Sequence, residues 1–378
     1  MNSHIPFNKP FIAGKELYYI AQAVLKYGKL SGDGEFTDKC HSWLQLNLKC
    51  KKALLTHSCT AALEMAAILA NIQAEDEVIM PSFTFVSTAN AFVLRGGVPV
   101  FIDIRSDTLN VDESKLEAAI TEKTKAIVPV HYAGAPCDME AIMDIAQKYG
   151  LLVIEDAAQA LLTDYNNKKL GSIGHFGALS FHETKNVISG EGGALLINDE
   201  RYIERAEVIW EKGTNRKNFI RGEIDKYTWI DIGSSFLPSE LTAAFLYSQF
   251  ENAEKIIEAR LNHYKRYYTG LKELEKTAPL ILPNIENNIN GHIFYIIAGS
   301  FEERSDLIQF LKDRGIFSIF HYIPLHSSPA GLKFGRIHGE LYQTQKISER
   351  ILRLPLYYEI SNSEIDRVIG AIQEYYQG

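Results

Sequence analysis

Between about residue 54 and residue 199 short apolar runs alternate with amphipathic stretches. Glu77–Met80 (EVIM), Val98–Ile102 (VPVFI), Ala126–Val130 (AIVPV), Leu151–Ile154 (LLVI) and Ala178–Phe181 (ALSF) read as buried strands. Helical periodicity fills the gaps, over Thr84–Arg95 and over Met139–Tyr149, where Gly150 supplies a C-cap. Strands alternating with helices predict an α/β fold with a mainly parallel sheet covered on both faces. Ligands of such sheets collect beyond the carboxyl ends of the strands.

A second region follows. Pro238 and Ser239 open a helical pattern that runs to about Leu274, and TAPLILPNIENNING (277–291) reads as a linker. Beyond it the pattern predicts a strand (Phe294–Ala298), a helix (Arg304–Asp313), a strand (Phe317–His321) and two C-terminal helices. With 378 residues the chain exceeds what one core normally supports. The expected division is a large domain over 1–250 and a smaller C-terminal α/β domain over 251–378, joined by the long helix.

Composition narrows the class. Hydrophobic residues are 46% and charged residues 23%, as in ordinary folded proteins, and the net charge is −8. No basic excess exists to neutralise phosphates, which argues against a nucleic-acid partner. The four cysteines (Cys40, Cys50, Cys59, Cys137) lie far apart without C-x-x-C spacing, so neither a disulfide framework nor a metal site is expected. MNSHIPFNKP has no apolar signal-peptide core, and no run reaches membrane-spanning length. The expectation is a cytoplasmic protein.

Four strand-end motifs carry candidate chemistry. V-I-E-D-A-A-Q (153–159) delivers Asp156 to the ligand edge, where a buried carboxylate needs a partner. A protonated pyridine nitrogen is one; an ordinary helix N-cap is the plainer alternative. G-A-L-S-F-H-E-T-K-N (177–186) puts Ser180 inside the next strand and Lys185 after it, followed by Gly190, Gly192 and Gly193. A desolvated lysine loses its proton readily and can bond an aldehyde cofactor, whereas most lysines simply lie on the surface. In T-H-S-C-T-A-A-L-E-M-A (56–66) hydroxyls and free N–H groups at a helix start suit a phosphate, or only a cap. In P-S-F-T-F-V-S-T-A-N (81–90) Phe83 or Phe85 can stack on a heterocycle, or both can be core. Together these are the parts of a pyridoxal phosphate site.

At these residues the chain resembles the fold-type-I nucleotide-sugar aminotransferases of the DegT/DnrJ/StrS type. The likeness runs from KLSGDGEFT (29–37) through SFHETKN and EKGTNR to FHYIPLHSSP (320–329). It implies pyridoxal 5′-phosphate as cofactor and Lys185 as its covalent anchor and proton shuttle. It places Asp156 at the pyridine nitrogen, Gln159 near the ring hydroxyl, Cys59, Thr60 and Ser180 at the phosphate, and Phe85 on the ring. It further implies a homodimer with shared active sites. Ser235 stands where many members have an asparagine reaching the partner's phosphate, and Leu237 where arginine is frequent. His326 and Arg216 match substrate-side positions. PSFTFVSTANAFVLRGG and VPVHYAG are closest to members that move the amino group of L-glutamate to the C4 ketone of dTDP-4-dehydro-6-deoxy-D-glucose. Their product, dTDP-4-amino-4,6-dideoxy-D-galactose, enters cell-surface polysaccharides such as enterobacterial common antigen.

Three rivals deserve comparison. Some members aminate C3 instead. A non-catalytic pyridoxal-phosphate-binding regulator would need a nucleic-acid or partner domain, and no helix-turn-helix signature or basic face is visible. A nicotinamide-dependent dehydrogenase should show G-x-G-x-x-G after its first strand. The nearest candidate, Gly32-Asp33-Gly34, has Thr37 at the third glycine position.

Overall fold

A computed structural model of the chain describes residues 4–284 and 288–377. Its strands are β1 (Lys52–Thr56), β2 (Glu77–Pro81), β3 (Val98–Ile102), β4 (Thr124–Ile127), β5 (Leu152–Asp156), β6 (Asp164–Tyr165), β7 (Lys168–Lys169), β8 (Phe176–Ser180), β9 (Gly193–Ile197), β10 (Tyr295–Ile297), β11 (Ile319–Phe320), β12 (Arg336–Ile337) and β13 (Ile351–Arg353). Eight of them form one sheet in the order β1-β9-β8-β5-β4-β2-β3-β12. Neighbours pair in parallel from β8 to β12, while β9 runs antiparallel to both β1 and β8. The fold is thus the expected α/β arrangement with a mainly parallel sheet. β6 and β7 make a separate hairpin, turned at Asn166 and Asn167, both with positive φ.

Alternate residues of each strand serve opposite faces. Ala53 and Leu55 of β1 pack into one core with helices Glu35–Leu48 and Glu240–Phe250, and Leu54 packs into another with helix Cys59–Leu69. A period of two within strands thus places two helical layers around one sheet. A third core joins helices Ala253–Leu271, Phe301–Asp313 and Asn362–Gln377 to the antiparallel sheet β10-β13-β11. Helix Met139–Tyr149 spans the expected residues and ends at Gly150 with φ 66.

Several elements differ from the pattern reading. β4 stops at Ile127, because Pro129 has no N–H to donate, and only an isolated bridge joins Val130 to Asp156. The single helix expected after Ser239 is two helices broken at Glu251–Asn252. There the Asn252 side chain donates to the Ser248 carbonyl and competes with the continuing helix. In the C-terminal part, strands β12 and β13 lie between helices where only helices were expected. Residues 285–287 of the expected linker lie outside the described residues, and Leu280 and Leu282 on its earlier part are buried.

One core group gives a pH prediction. His41 is buried in helix Glu35–Leu48, and its Nε2 accepts a hydrogen bond from the Leu55 N–H at 2.9 Å. Burial pushes its pKa down to about 3, with the Lys52 charge adding to the effect. Between that value and the ordinary 6.5 the unfolded chain binds a proton that the folded chain refuses, so stability falls on acidification. The slope from this one group is at most about 1.4 kcal/mol per pH unit. His41→Asn should flatten the dependence of thermal midpoint on pH below neutrality; an unchanged slope would remove His41 as its source.

Candidate active site

A cavity of about 610 Å³ opens at the carboxyl ends of the parallel strands. Of the expected site residues it brings together Cys59, Thr60, Phe85, Asp156, Gln159, Ser180 and Lys185. It does not bring in the other three. Ser235 is exposed and bridges to Glu211, Arg216 pairs with Glu211 at 2.8 Å, and His326 Nδ1 lies 2.7 Å from Ser82 Oγ.

Asp156 is the last residue of β5 and is buried. Thr88 Oγ1 donates to its Oδ2 at 2.7 Å, and the Ala158 N–H donates to Oδ1 at 3.2 Å. Thr84 braces Thr88 from 2.9 Å. No cation pairs with this carboxylate among the described residues, so its remaining capacity faces the cavity. The adjacent Gln159 accepts from the Ala133 N–H at 2.7 Å and donates to the Tyr322 hydroxyl at 3.1 Å.

Lys185 sits in the turn after β8. Burial lowers its pKa from 10.5; Cys59 and Asp156 oppose that shift, and the Arg353 charge adds to it. Its amine forms no hydrogen bond or ion pair among the described residues. Behind it Asn186 fixes the turn: its Nδ2 donates to the Asn290 carbonyl at 2.9 Å, and its Oδ1 lies 3.0 Å from His292 Nδ1. Burial holds His292 well below the usual imidazole range, with the Lys185 charge adding to it.

The third part is a helix start. Helix Cys59–Leu69 is capped by Ser58, whose Oγ accepts from the Ala61 N–H at 3.1 Å. The N–H groups of Cys59 and Thr60 have no partner among the described residues, and Thr60 Oγ1 lies 2.7 Å from Ser87 Oγ. The register Thr56–Gly193–Ser180 sets the ends of β1, β9 and β8 side by side. Gly193 is needed there, since a Cβ on it would come within 2.5 Å of Cys59 N. Two free N–H groups, hydroxyls and a helix dipole favour an anion.

Phe85 precedes helix Val86–Val93 and is 56% exposed, with its ring 6.3 Å from that of Tyr322. It is therefore available for stacking, whereas Phe83 is core at 1% exposure. Pattern reading missed Thr88, Asn186, His292, Tyr322 and Arg353. Thr88 was visible as a hydroxyl three residues beyond Phe85, but nothing local links it to Asp156.

The sequence profile of the DegT/DnrJ/EryC1/StrS aminotransferase family matches residues 12–373. The chain belongs to this family. The spore coat polysaccharide biosynthesis protein SpsC of Bacillus subtilis is 34% identical over 388 residues, covering 100% of this chain and 98% of the relative. Among solved structures, the aminotransferase TlmJ of Streptoalloteichus hindustanus superposes with a TM-score of 0.89 at 26% identity, covering 99% of both chains. NtdA of Bacillus subtilis, solved with bound cofactor PMP, gives 0.88 at 28% identity, covering 100% of this chain and 87% of NtdA.

The chain is accordingly an enzyme, a pyridoxal-phosphate-dependent aminotransferase. Its own geometry fits that cofactor. An anion cradle, a carboxylate without a cation among the described residues and an amine without a hydrogen-bond partner among them line one cavity, as a phosphate, a pyridine nitrogen and an aldehyde require. Among the described residues no helix is long and apolar enough to cross a membrane, and no His/Cys/Asp/Glu group could hold a metal ion.

Proposed function

We propose that this enzyme is a nucleotide-sugar aminotransferase that moves the amino group of L-glutamate to the C4 ketone of dTDP-4-dehydro-6-deoxy-D-glucose. The product would be dTDP-4-amino-4,6-dideoxy-D-galactose, used in a cell-surface polysaccharide. The observation that carries the reading is the pair Lys185 and Asp156, which line one cavity and form no ion pair among the described residues. SpsC, similar over the full length, is named for a polysaccharide, and the segments PSFTFVSTANAFVLRGG and VPVHYAG support the C4 ketone.

Bound pyridoxal phosphate supplies an electron sink for breaking the C–H bond next to an amino nitrogen. Cys59, Thr60 and Ser180 would hold its phosphate, Phe85 its ring face and Gln159 its ring hydroxyl. Asp156 would hold the proton on the ring nitrogen, its Oδ2 fixed by Thr88. Lys185 would anchor the aldehyde. As a free amine its Nζ would take a proton from the donor Cα and would deliver one to C4 of the sugar. A depressed amine pKa suits that duty, because the neutral form must be accessible near neutral pH.

The reading includes a cytoplasmic homodimer with large and small domains over 1–250 and 251–378. Two observations support the dimer. Ser235, Arg216 and His326 stand outside the cavity of their own chain, and Ser235 is exposed. Beside Ser235 the segment around Trp229, Ile230 and Ile232 is exposed, at 78%, 55% and 44%, which is unusual for a monomer surface. Incubating the enzyme with L-glutamate and dTDP-4-dehydro-6-deoxy-D-glucose, then taking NMR spectra of the sugar, tests the substrate. An axial amine at C4 is expected. Consumption of glutamate with an amine at C3, or with no amino sugar, would overturn the assignment.

A further inference from the structure

We infer that His292 is a positioning residue for the reactive lysine, aiming Lys185 through one hydrogen bond from its Nδ1–H to the side-chain oxygen of Asn186. The inference rests on the aminotransferase reading above and adds to it what holds the lysine in place.

Lys185 lines the cavity with no partner for its amine among the described residues, so its aim depends on the turn that carries it. That turn closes locally, with the Lys185 N–H donating to the His182 carbonyl at 2.9 Å. Its buried tether to the rest of the chain is the next side chain, Asn186. Asn186 Nδ2 donates to the Asn290 carbonyl at 2.9 Å, which turns Oδ1 toward His292, 3.0 Å from Nδ1. An amide oxygen only accepts, so the imidazole proton is on Nδ1. Burial keeps the ring below the usual imidazole range, which leaves Nε2 without a proton.

His292 is itself held by its neighbours. Arg260 donates from Nε to the Gly291 carbonyl at 3.0 Å and from Nη2 to the His292 carbonyl at 2.8 Å. The His292 N–H donates to Asn290 Oδ1 at 3.2 Å. Asn290 Nδ2 in turn donates to the carbonyls of Gln159 at 2.9 Å and Leu161 at 3.1 Å. Gly291 has φ 65, and a Cβ there would come within 2.8 Å of the Arg260 backbone. Asn186, Asn290, His292 and Arg260 are all buried.

A buried polar network is costly wherever a partner is lost, and fully partnered it permits one arrangement. This one runs from the Gln159 carbonyl, just after Asp156, to the residue next to Lys185. It therefore sets the lysine turn against the chain that carries Asp156. Proton transfer by the lysine amine depends on that placement, since a displacement of about 1 Å can cost about 100-fold in rate.

The test compares His292→Asn, whose amide N–H reaches the place of Nδ1, with His292→Gln, whose amide reaches the place of Nε2. Conversion of the cofactor to its amino form by saturating L-glutamate is followed by absorbance. His292→Gln is expected to slow it about 100-fold, with half-saturating glutamate within about twofold and with an isotope effect from α-deuterated glutamate. His292→Asn should come within about fivefold of the unaltered enzyme. A second readout needs no turnover. In enzyme with isotope-labelled histidine, the NMR signal of His292, assigned by its loss in whichever variant folds, should show the proton on Nδ1. An unchanged rate in His292→Gln, an equal loss in both variants or a loss confined to His292→Asn would overturn the inference. So would a loss without an isotope effect, or a proton on Nε2. Each of these leaves the aminotransferase reading standing. No spectral response to glutamate in the unaltered enzyme would remove both.

Discussion

Lys185→Ala should lower transamination by at least about 10⁴-fold and leave a folded protein that has lost the visible absorbance of lysine-bound cofactor. No neighbour can replace this amine. His292 and His321 also line the cavity, but burial keeps both well below the ordinary imidazole pKa, and neither bonds an aldehyde as a primary amine does. The arginines are held protonated by their chemistry. Stability should not suffer. Burial disfavours the charged lysine and the amine makes no hydrogen bond, so removing it takes away a strain rather than a support. The decisive comparison is turnover against thermal midpoint. Lost activity with an unchanged midpoint supports the assignment; retained turnover sinks it.

Asp156→Asn carries the second large effect. The amide keeps the shape of the side chain and an oxygen for the Thr88 hydroxyl, which donates at 2.7 Å. The charge is removed, together with the acceptor for the Ala158 N–H at 3.2 Å. A ring nitrogen facing an amide no longer has an anion to hold its proton, and the electron sink weakens. Turnover should fall by about 10²–10⁴-fold while cofactor still binds through the helix start at Cys59. Thr88→Val, which frees one oxygen of Asp156, should show a smaller loss of the same kind. Full activity in Asp156→Asn would show that the carboxylate only caps the chain after β5.

The sequence made these two residues visible because each follows an apolar strand, and a polar group at a buried strand end needs a reason. It could not show what holds them. Thr88 and Asp156 are 68 positions apart, and Asn186 and His292 are 106 apart. Such pairs arise from topology, which local periodicity does not report. β9 shows another limit. Gly193–Ile197 is buried throughout, so it carries the same apolar run whether its neighbours are parallel or antiparallel. Strand direction leaves no local mark there. Arg353 was hidden because Ile351–Arg353 is only three residues long and follows a helix directly. The helix break at Asn252 turns on one side-chain hydrogen bond that competes with the backbone, and a pattern of apolar spacing runs straight across it. Ser235, Arg216 and His326 were named from resemblance, and within one chain they lie away from the cavity.

The most direct measurement is covalent. Enzyme loaded with pyridoxal phosphate is reduced with borohydride, digested, and mapped by mass spectrometry. The cofactor mass should appear on one peptide, on the side chain of Lys185 in S-F-H-E-T-K-N. Label on a different lysine, or none on a protein that binds the cofactor, would contradict the account.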